Sequence, residues 1–129
     1  MTPRALDQSP RQRRRDAQRR GNRAESIASW WLRMKGYRVL ARGFRCPAGE
    51  IDLIVRRGRT LAIVEVKARP SLAEASEALT PRQQRRIARA AEVFVQRHAQ
   101  FVGCTLRFDV IMVVPQQLPK HIPDAWRQG

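Results

Sequence analysis

A chain of 129 residues with 43% hydrophobic content is long enough for one domain with its own core. Its formal net charge of +15 at pH 7 favours an anionic partner, most commonly nucleic acid. The preference for arginine over lysine suits phosphate contacts or reflects base composition, and the net charge is harder to explain in that way. Cys46 and Cys104 lack metal-ligand spacing, and no apolar run approaches 20 residues. These features disfavour a zinc site and a membrane span, so we expect a cytoplasmic protein with reduced thiols.

Residues 1–22 are polar, rich in arginine and nearly without apolar anchors. This composition predicts a disordered basic arm, or a helix that forms only on a partner. A nucleic-acid-binding tail and a solubilising tail explain it equally well. We place the folded domain at residues 23–114 and a proline-containing tail at residues 115–129, in which Trp126 packs on the body.

The first predicted helix covers residues 23–35, because apolar residues recur there at spacings of three and four. They are Ala24, Ile27, Ala28, Trp31 and Met34. Glu25 lies at the margin of the buried face, in line with Ala28 and Leu32. It is either a site carboxylate or a first-turn glutamate that favours the helix dipole, and the spacing alone favours the dipole.

Three strands should follow, at residues 37–44, 50–55 and 61–68, and then a loop or short helix at residues 70–79. A second helix is signalled by Thr80 as N-cap, with Pro81 behind it and Gln83 completing a capping box. Its arginines lie together, without the acids that relieve repulsion, so phosphate contact is favoured over a solvated face. They are Arg82, Arg85, Arg86 and Arg89.

A last strand is predicted at residues 105–114, where the sequence becomes apolar on both faces. The order is then helix, strand, strand, strand, helix, strand. This order predicts an α/β fold in which a mixed central sheet is flanked by helices. The first three strands should be largely antiparallel, and the last should join them by a crossover.

The hairpin between residues 49 and 69 carries four charges inside apolar runs: Glu50, Asp52, Glu65 and Lys67. Strand alternation puts Glu50, Asp52 and Ile54 on one face of the first strand, and Glu65 and Lys67 on one face of the next. A two-residue loop pairs Arg56 with Arg59, and a four-residue loop pairs Arg56 with Leu61. Either loop gathers the four charges on one face, whereas a three-residue loop or a bulge changes the parity.

Two carboxylates that face each other on a half-buried sheet repel unless a cation lies between them. Oxygen ligands suit Mg²⁺ or Mn²⁺, and metal-assisted phosphodiester hydrolysis is the chemistry of such a site. A plain ion-pair cluster explains the same residues, and the residues alone favour the metal site slightly.

The stretch "GEIDLI" followed by "VEVKAR" resembles the signature of PD-(D/E)xK nucleases. Over residues 21–114 the chain resembles the YraN-like uncharacterised bacterial proteins, which are similar to archaeal Holliday-junction resolvases. The other matching motifs are "AE" at Ala24, "KGY" at Lys35, "TPRQQRRI" at Thr80 and "RFDV" at Arg107.

This resemblance implies a restriction-endonuclease-like core in which Asp52, Glu65 and Glu25 ligate a divalent metal. Lys67 would assist the nucleophilic water, and Gln84 would lie near the site. Glu50 would support the metal ligands without binding the metal itself. Gln83 stands where these proteins usually have lysine.

We therefore expect a Mg²⁺- or Mn²⁺-dependent endonuclease that acts on structured DNA, branched or flapped, and that forms a homodimer if it cuts junctions. Two alternatives are a non-catalytic nucleic-acid-binding protein in DNA processing or RNA assembly, and a scaffold that binds a protein through its arginine arm. The candidate phosphate contacts are Arg82, Arg85, Arg86, Arg89, Arg56, Arg57 and Arg69.

Overall fold

The computed structural model describes residues 9–128, without the side chains of residues 13 and 15–20. The described residues form three helices and five strands, with a short 3-10 turn at Ala99–Phe101. In chain order they are α1 (Pro10–Met34), β1 (Arg38–Cys46), β2 (Gly49–Arg57), β3 (Thr60–Ala68), α2 (Leu72–Ala75), α3 (Pro81–Arg97), β4 (Thr105–Val113) and β5 (Lys120–Trp126).

The strands form one sheet in the order β1-β2-β3-β4-β5. Strand β2 runs antiparallel to both β1 and β3, β4 runs parallel to β3, and β5 returns antiparallel to β4. The parallel pair requires a crossover, which α2 and α3 supply. The predicted mixed sheet with flanking helices is confirmed, and its strand order is compatible with a restriction-endonuclease-like core.

The sheet packs against helices on both of its faces, through one apolar layer on each face. On one face, Ala28 and Leu32 of α1 pack against Leu53 and Val64. On the other face, the apolar side of α3 packs against a second set of buried side chains from β2, β3 and β4: Ile51, Ile54, Leu61, Ile63 and Phe108. The central strands are therefore covered on both sides, which explains their nearly continuous apolar sequence.

Helix α3 begins as its sequence predicts. The Thr80 hydroxyl accepts a hydrogen bond from the Gln83 N–H at 3.2 Å, and the Gln83 side chain accepts one from the Thr80 N–H at 2.8 Å. This reciprocal capping box fixes the first turn of α3 beside the open ends of β2 and β3.

Helix α1 is longer than predicted, because it begins at Pro10 instead of residue 23. The Ser9 hydroxyl caps it by accepting from the Gln12 N–H at 3.1 Å, and Pro10 fits the first helical position. The part of the expected arm that the structure describes is thus helical, and residues 1–8 lie outside the described residues. Sequence reasoning missed this start because it required apolar anchors and overlooked the Ser-Pro cap.

The buried side of α1 also differs from the predicted stripe. Ala24, Ala28 and Leu32 face the sheet, whereas Ile27 is 36% exposed and Met34 is 63% exposed. The fully buried Leu32 and the partly buried Trp31 pack against the sheet, and Ala24 and Ala28 bring small side chains to it.

Strand β5 was missed, because its proline and polar residues are typical of a tail. Pro123 is tolerated there because β5 is an edge strand, which needs hydrogen bonds on one side only. Trp126 stacks on Phe108 with ring centroids 4.1 Å apart, so the expected packing of Trp126 on the body is confirmed. Across the described residues, no helix is long and apolar enough to cross a membrane.

Candidate active site

The ladder between β2 and β3 stops halfway along the two strands. The strands pair from Arg57 and Thr60 at the turn to Leu53 and Val64. Beyond that point β2 stays paired with β1 as far as Gly49, and β3 stays paired with β4 as far as Ala68. The sheet therefore opens between β2 and β3, and we call this opening the fork.

The register of the hairpin places Asp52 and Glu65 together at the fork. Arg56 pairs with Leu61, as in the four-residue alternative, although Arg57 and Thr60 also pair and leave two residues in the turn. Gly58 adopts a φ of 60° in that turn, a conformation that glycine takes without strain. Extending this register beyond Leu53 and Val64 sets Asp52 against Glu65.

Asp52 fills the fork from β2. Its carboxylate accepts a hydrogen bond from the Val66 N–H at 2.8 Å, in place of the missing backbone ladder. Ile51 packs in the α3 layer while Leu53 packs in the α1 layer, so the alternation of β2 breaks at Asp52. The prediction that Asp52 shares one face with Glu50 and Ile54 is therefore wrong, because a break of the ladder changes the parity of the strand.

A cavity of about 320 Å³ opens on the α1 side of the fork. It contains Asp52 and Glu25, with Arg69 and Gly21 at its wall. Burial raises the pKa of Glu25, and the charge of Asp52 raises it further, whereas Arg42 and Arg45 oppose the change. Helix α1 thus presents Glu25 to the same space as Asp52.

A second cavity, of about 390 Å³, lies on the α3 side of the fork. Glu65 and Glu50 line it from the sheet, and Gln83 and Arg86 line it from α3. Glu50 is exposed and lies 3.4 Å from Arg45. Strand β3 keeps the predicted alternation, since Leu61 and Ile63 also pack on the α3 side.

Asp52 and Glu65 form a strongly interacting pair. Burial raises the pKa of Glu65 to about 8, with a further contribution from the charge and hydrogen bonding of Asp52. Burial also raises the pKa of Asp52, and the hydrogen bonds from Val66 and Glu65 only partly offset it. Two half-buried carboxylates cannot both ionise cheaply, so the pair holds a proton to higher pH than an isolated carboxyl group does.

Lys67 lies on the strand beyond Glu65 and is only 8% exposed. It lines a third, smaller cavity of about 180 Å³ together with Gln84. Burial lowers the pKa of Lys67, the charge of Arg69 lowers it further, and Glu65 and Glu77 oppose the change. Gln84 donates to the Leu79 carbonyl at 3.2 Å, which fixes its side chain near this cavity.

The predicted phosphate contacts divide into two groups. Arg69 and Arg86 line the cavities of the fork, and the other three arginines of α3 are exposed: Arg82, Arg85 and Arg89. Arg56 and Arg57 lie at the opposite end of the hairpin, over the rings of Phe101 at 5.5 Å and Tyr37 at 4.4 Å. The structure does not bring these two arginines to the fork.

Sequence reasoning missed two arginines of β1 that stand beside Glu25. Arg42 donates to the Ser26 hydroxyl at 2.8 Å, and both Arg42 and Arg45 lower the pKa of Glu25. Their spacing of three hides them from a search for alternation, because Gly43 lies between them with a φ of 63°.

The donor set suits a hard divalent cation held by few protein ligands. Within residues 9–128, no three His, Cys, Asp or Glu side chains form a group able to hold a metal by themselves. Asp52 and Glu65 nonetheless offer paired oxygen donors whose mutual repulsion a cation would relieve. Mg²⁺ commonly binds through one or two carboxylates and completes its shell with water and substrate phosphate, so the residues fit it.

Comparison with known proteins places this site in a family. The family model described as "Uncharacterised protein family UPF0102" matches residues 24–113. The chain belongs to the UPF0102 family. It is 58% identical over 111 residues to a UPF0102 protein of Parvibaculum lavamentivorans, covering 86% of this chain and 84% of that protein. It is 50% identical over 117 residues to a UPF0102 protein of Methylorubrum extorquens, covering 91% of each.

The match includes every element that surrounds the fork. It begins at Ala24, one residue before Glu25, and ends at Val113, the last residue of β4. The helical segment before Ala24 and strand β5 lie outside it. The family match therefore coincides with the layer of structure that positions Asp52, Glu65 and Lys67.

Proposed function

We propose that this UPF0102 protein is a Mg²⁺- or Mn²⁺-dependent endonuclease that hydrolyses phosphodiester bonds in structured DNA, branched or flapped. The observation that carries the proposal is the half-buried pair of Asp52 and Glu65 at the fork, with buried Lys67 on the same strand. Burial and the charge of Asp52 outweigh the nearby charges of Lys67 and Arg69, so the pKa of Glu65 is raised to about 8.

Asp52 and Glu65 would hold the metal, with Glu25 facing Asp52 across the α1-side cavity. When bound, the metal supplies Lewis-acid polarisation of the phosphoryl oxygen and a hydroxide near neutral pH. Asp52 is held in place by the Val66 N–H, so its carboxylate is oriented before substrate arrives. Lys67 lies two residues after Glu65 on β3 and would assist the attacking water, and burial lowers the pKa of its ammonium group.

Arginines on both sides of the fork would bind the nucleic-acid backbone. Arg69 and Arg86 border the two cavities, and the exposed arginines of α3 extend the basic surface away from Arg86. Because guanidinium groups contact phosphates in pairs of hydrogen bonds, these positions would orient the strand across Asp52 and Glu65. Since a junction has two strands to cut, we also propose that the protein acts on junctions as a homodimer.

The direct experiment incubates the protein with labelled junction, flap, duplex and single-stranded DNA in Mg²⁺ or Mn²⁺. Cleavage should require metal, favour the branched substrates, and be lost in Asp52→Asn and Glu65→Gln. Glu92→Gln is the matched control, because Glu92 is an exposed acid of α3. Metal-independent cleavage, or full activity of Asp52→Asn, would refute the proposal.

The net charge of +15 supports a second candidate, a nucleic-acid-binding protein without catalysis in DNA processing or RNA assembly. It requires only the basic surface, so it predicts salt-sensitive binding that Glu65→Ala leaves unchanged. Binding to the same substrates without any cleavage in either metal would favour this candidate over the endonuclease.

A further inference from the structure

Helix α1 begins well before the first of its side chains that the structure describes as buried. Ala24 is the first buried side chain that the structure describes along α1, and the helix begins 14 residues earlier, at Pro10. At 1.5 Å per residue, the segment of residues 10–23 is about 20 Å long. We call it the helical arm. The family model starts at Ala24, where the arm ends. The alignment with the Methylorubrum extorquens relative covers 91% of this chain and therefore includes part of the arm.

The arm is strongly basic. Asp16 is its single acid, and its first turn contains no acidic residue. The side chains of Arg11 and Arg14 are exposed. Its seven arginines are Arg11, Arg13, Arg14, Arg15, Arg19, Arg20 and Arg23.

Without a bound anion, this concentration of positive charge destabilises the helical conformation of the arm. Like charges four residues apart destabilise a helix, and Arg11, Arg15 and Arg19 have this spacing in the sequence. Positive charge in the first turn also opposes the helix dipole. A helix that lacks packing against the core is marginal at this length. Phosphate groups beside the arm would relieve both the repulsion and the dipole effect.

The arm leads directly to the fork. Gly21 is part of the wall of the α1-side cavity that contains Glu25 and Asp52. A nucleic acid that reaches this cavity would therefore continue along the arm. Because successive helical residues differ by 100°, the arginine positions are spread around the whole circumference. A helix lying in a groove of a duplex has a phosphate backbone on each side, so arginines on different sides of the helix can reach phosphates. A single strand would contact only one side of the helix.

We propose that the helical arm binds double-stranded nucleic acid in a groove next to the fork and gains helicity when it binds. The assignment of the duplex as part of the substrate rests on the proposed function. The arm would hold the duplex portion of a branched molecule while the branch point lies at Asp52 and Glu65.

The test uses the full chain with Asp52→Asn, which prevents cleavage. The arm variant replaces Arg11, Arg14, Arg19 and Arg20 with glutamine. A matched control makes the same change in net charge at four exposed arginines elsewhere: Arg33, Arg38, Arg59 and Arg97. Affinity for a 20-base-pair duplex and for a single strand of equal length is measured by fluorescence anisotropy over a series of salt concentrations.

The arm variant should bind the duplex at least tenfold more weakly, with a salt slope reduced by up to about 3.6, since each of the four lost phosphate contacts removes roughly 0.9. The control should change by less than threefold, and the single strand should be less affected by the arm variant than the duplex. The circular-dichroism signal of helix should rise when duplex is added to the parent and not to the arm variant. Equal losses in the two variants, or an unchanged arm variant, would overturn the proposal.

Cleavage assays with Asp52 intact separate this proposal from the proposed function. Binding of duplex that depends on the arm, in a protein that cuts nothing, would reject the endonuclease and keep the arm. Metal-dependent cleavage by an arm variant that binds duplex like its parent would reject the arm and keep the endonuclease.

Discussion

Asp109 and Asp52 lie in the same sheet, the first buried and the second half-buried, and their surroundings are opposite. Asp109 on β4 is fully buried and accepts two hydrogen bonds at 2.8 Å from Arg107, with His121 Nε2 also at 2.8 Å. The Asp124 N–H donates to it at 3.0 Å. Asp52 on β2 has one backbone donor and another carboxylate as its neighbour.

The pKa directions of these two aspartates express the difference. Burial alone raises the pKa of Asp109, but the hydrogen bonds from His121 and Arg107 outweigh it and hold the pKa below the ordinary 3.8. Burial raises the pKa of Asp52, and its partners do not outweigh it. Asp109, which has a complete set of hydrogen-bond donors, holds β5 onto the sheet. Asp52 lacks such a set and is therefore a candidate for metal binding.

The largest expected effect is on catalysis at the fork. Asp52→Asn should reduce the rate of the proposed metal-dependent cleavage by a factor of about 10³ or more, because it replaces a negatively charged ligand of the proposed metal with a neutral one. The measurement is single-turnover cleavage of a labelled flap or junction. The free energy of unfolding should stay equal or rise, since the substitution relieves repulsion with Glu65. A strong loss of stability would show that Asp52 is structural, like Asp109.

The next effect is on stability at β5. Asp109→Ala should lower the free energy of unfolding by about 3 kcal/mol, because Arg107, His121 and the Asp124 N–H lose their common acceptor in a buried place. Denaturant unfolding in urea measures it. Arg127→Ala is a suitable control, since its ion pair with Asp124 is exposed and should contribute little. Equal effects of the two substitutions would contradict the role assigned to Asp109.

Stability should depend on pH in opposite ways for the two carboxylate sites. The raised pKa of Glu65 stabilises the metal-free protein fully below pH 4.5, and this contribution is lost as the pH rises to about 8. The lowered pKa of Asp109 acts oppositely, because its contribution is present above pH 3.8 and is lost as the pH falls below that value. Thermal unfolding should show Tm falling between pH 5 and 8 by on the order of 5 °C.

Glu65→Gln is the control for that pH profile. It should flatten the decline between pH 5 and 8, and Mg²⁺ or Mn²⁺ should restore the Tm of the parent at pH 8 by binding the ionised pair. A decline that persists in Glu65→Gln would assign the titration to another group.

The smallest expected effect is at Glu50, an exposed acid beside the fork. Its ion pair with Arg45 spans 3.4 Å, and both side chains are largely exposed. Glu50→Gln should change the free energy of unfolding by less than about 0.5 kcal/mol and the cleavage rate by only a few-fold. Urea unfolding and the cleavage assay measure both quantities. A loss of cleavage as large as that of Asp52→Asn would indicate that Glu50 also binds the metal.

Local signals explain the parts of the fold that the sequence predicted. Thr80, Pro81 and Gln83 act within one turn of α3, and the apolar runs of β2 and β3 reveal the hairpin directly. The two-residue turn with Gly58 is also a local feature. The missing elements depend on distant partners or on weak signals: β5 needs β4 as its neighbour, and α1 begins at a Ser-Pro cap in a basic segment without apolar anchors.

The candidate site was predicted as a set of residues, and its arrangement was not. The hairpin pattern and the family resemblance led to Asp52, Glu65, Lys67 and Glu25. The opening of the ladder, which turns Asp52 away from the face of Ile54, depends on β1 and β4 holding the outer sides of the fork. Asp109 was not recognised as a structural centre, because its donors Arg107 and His121 are 14 residues apart and meet only when β5 folds onto β4.

The most direct test counts the Mn²⁺ ions bound in the presence of a four-way junction, with calorimetry in two buffers to count released protons. The account predicts one ion bound at the Asp52–Glu65 pair of each chain, and about one proton released near pH 7 as Glu65 ionises. Asp52→Asn should abolish this binding, and Glu92→Gln should leave it unchanged. Binding of Mn²⁺ that is the same in Asp52→Asn, or no binding to the parent with junction present, would contradict the account.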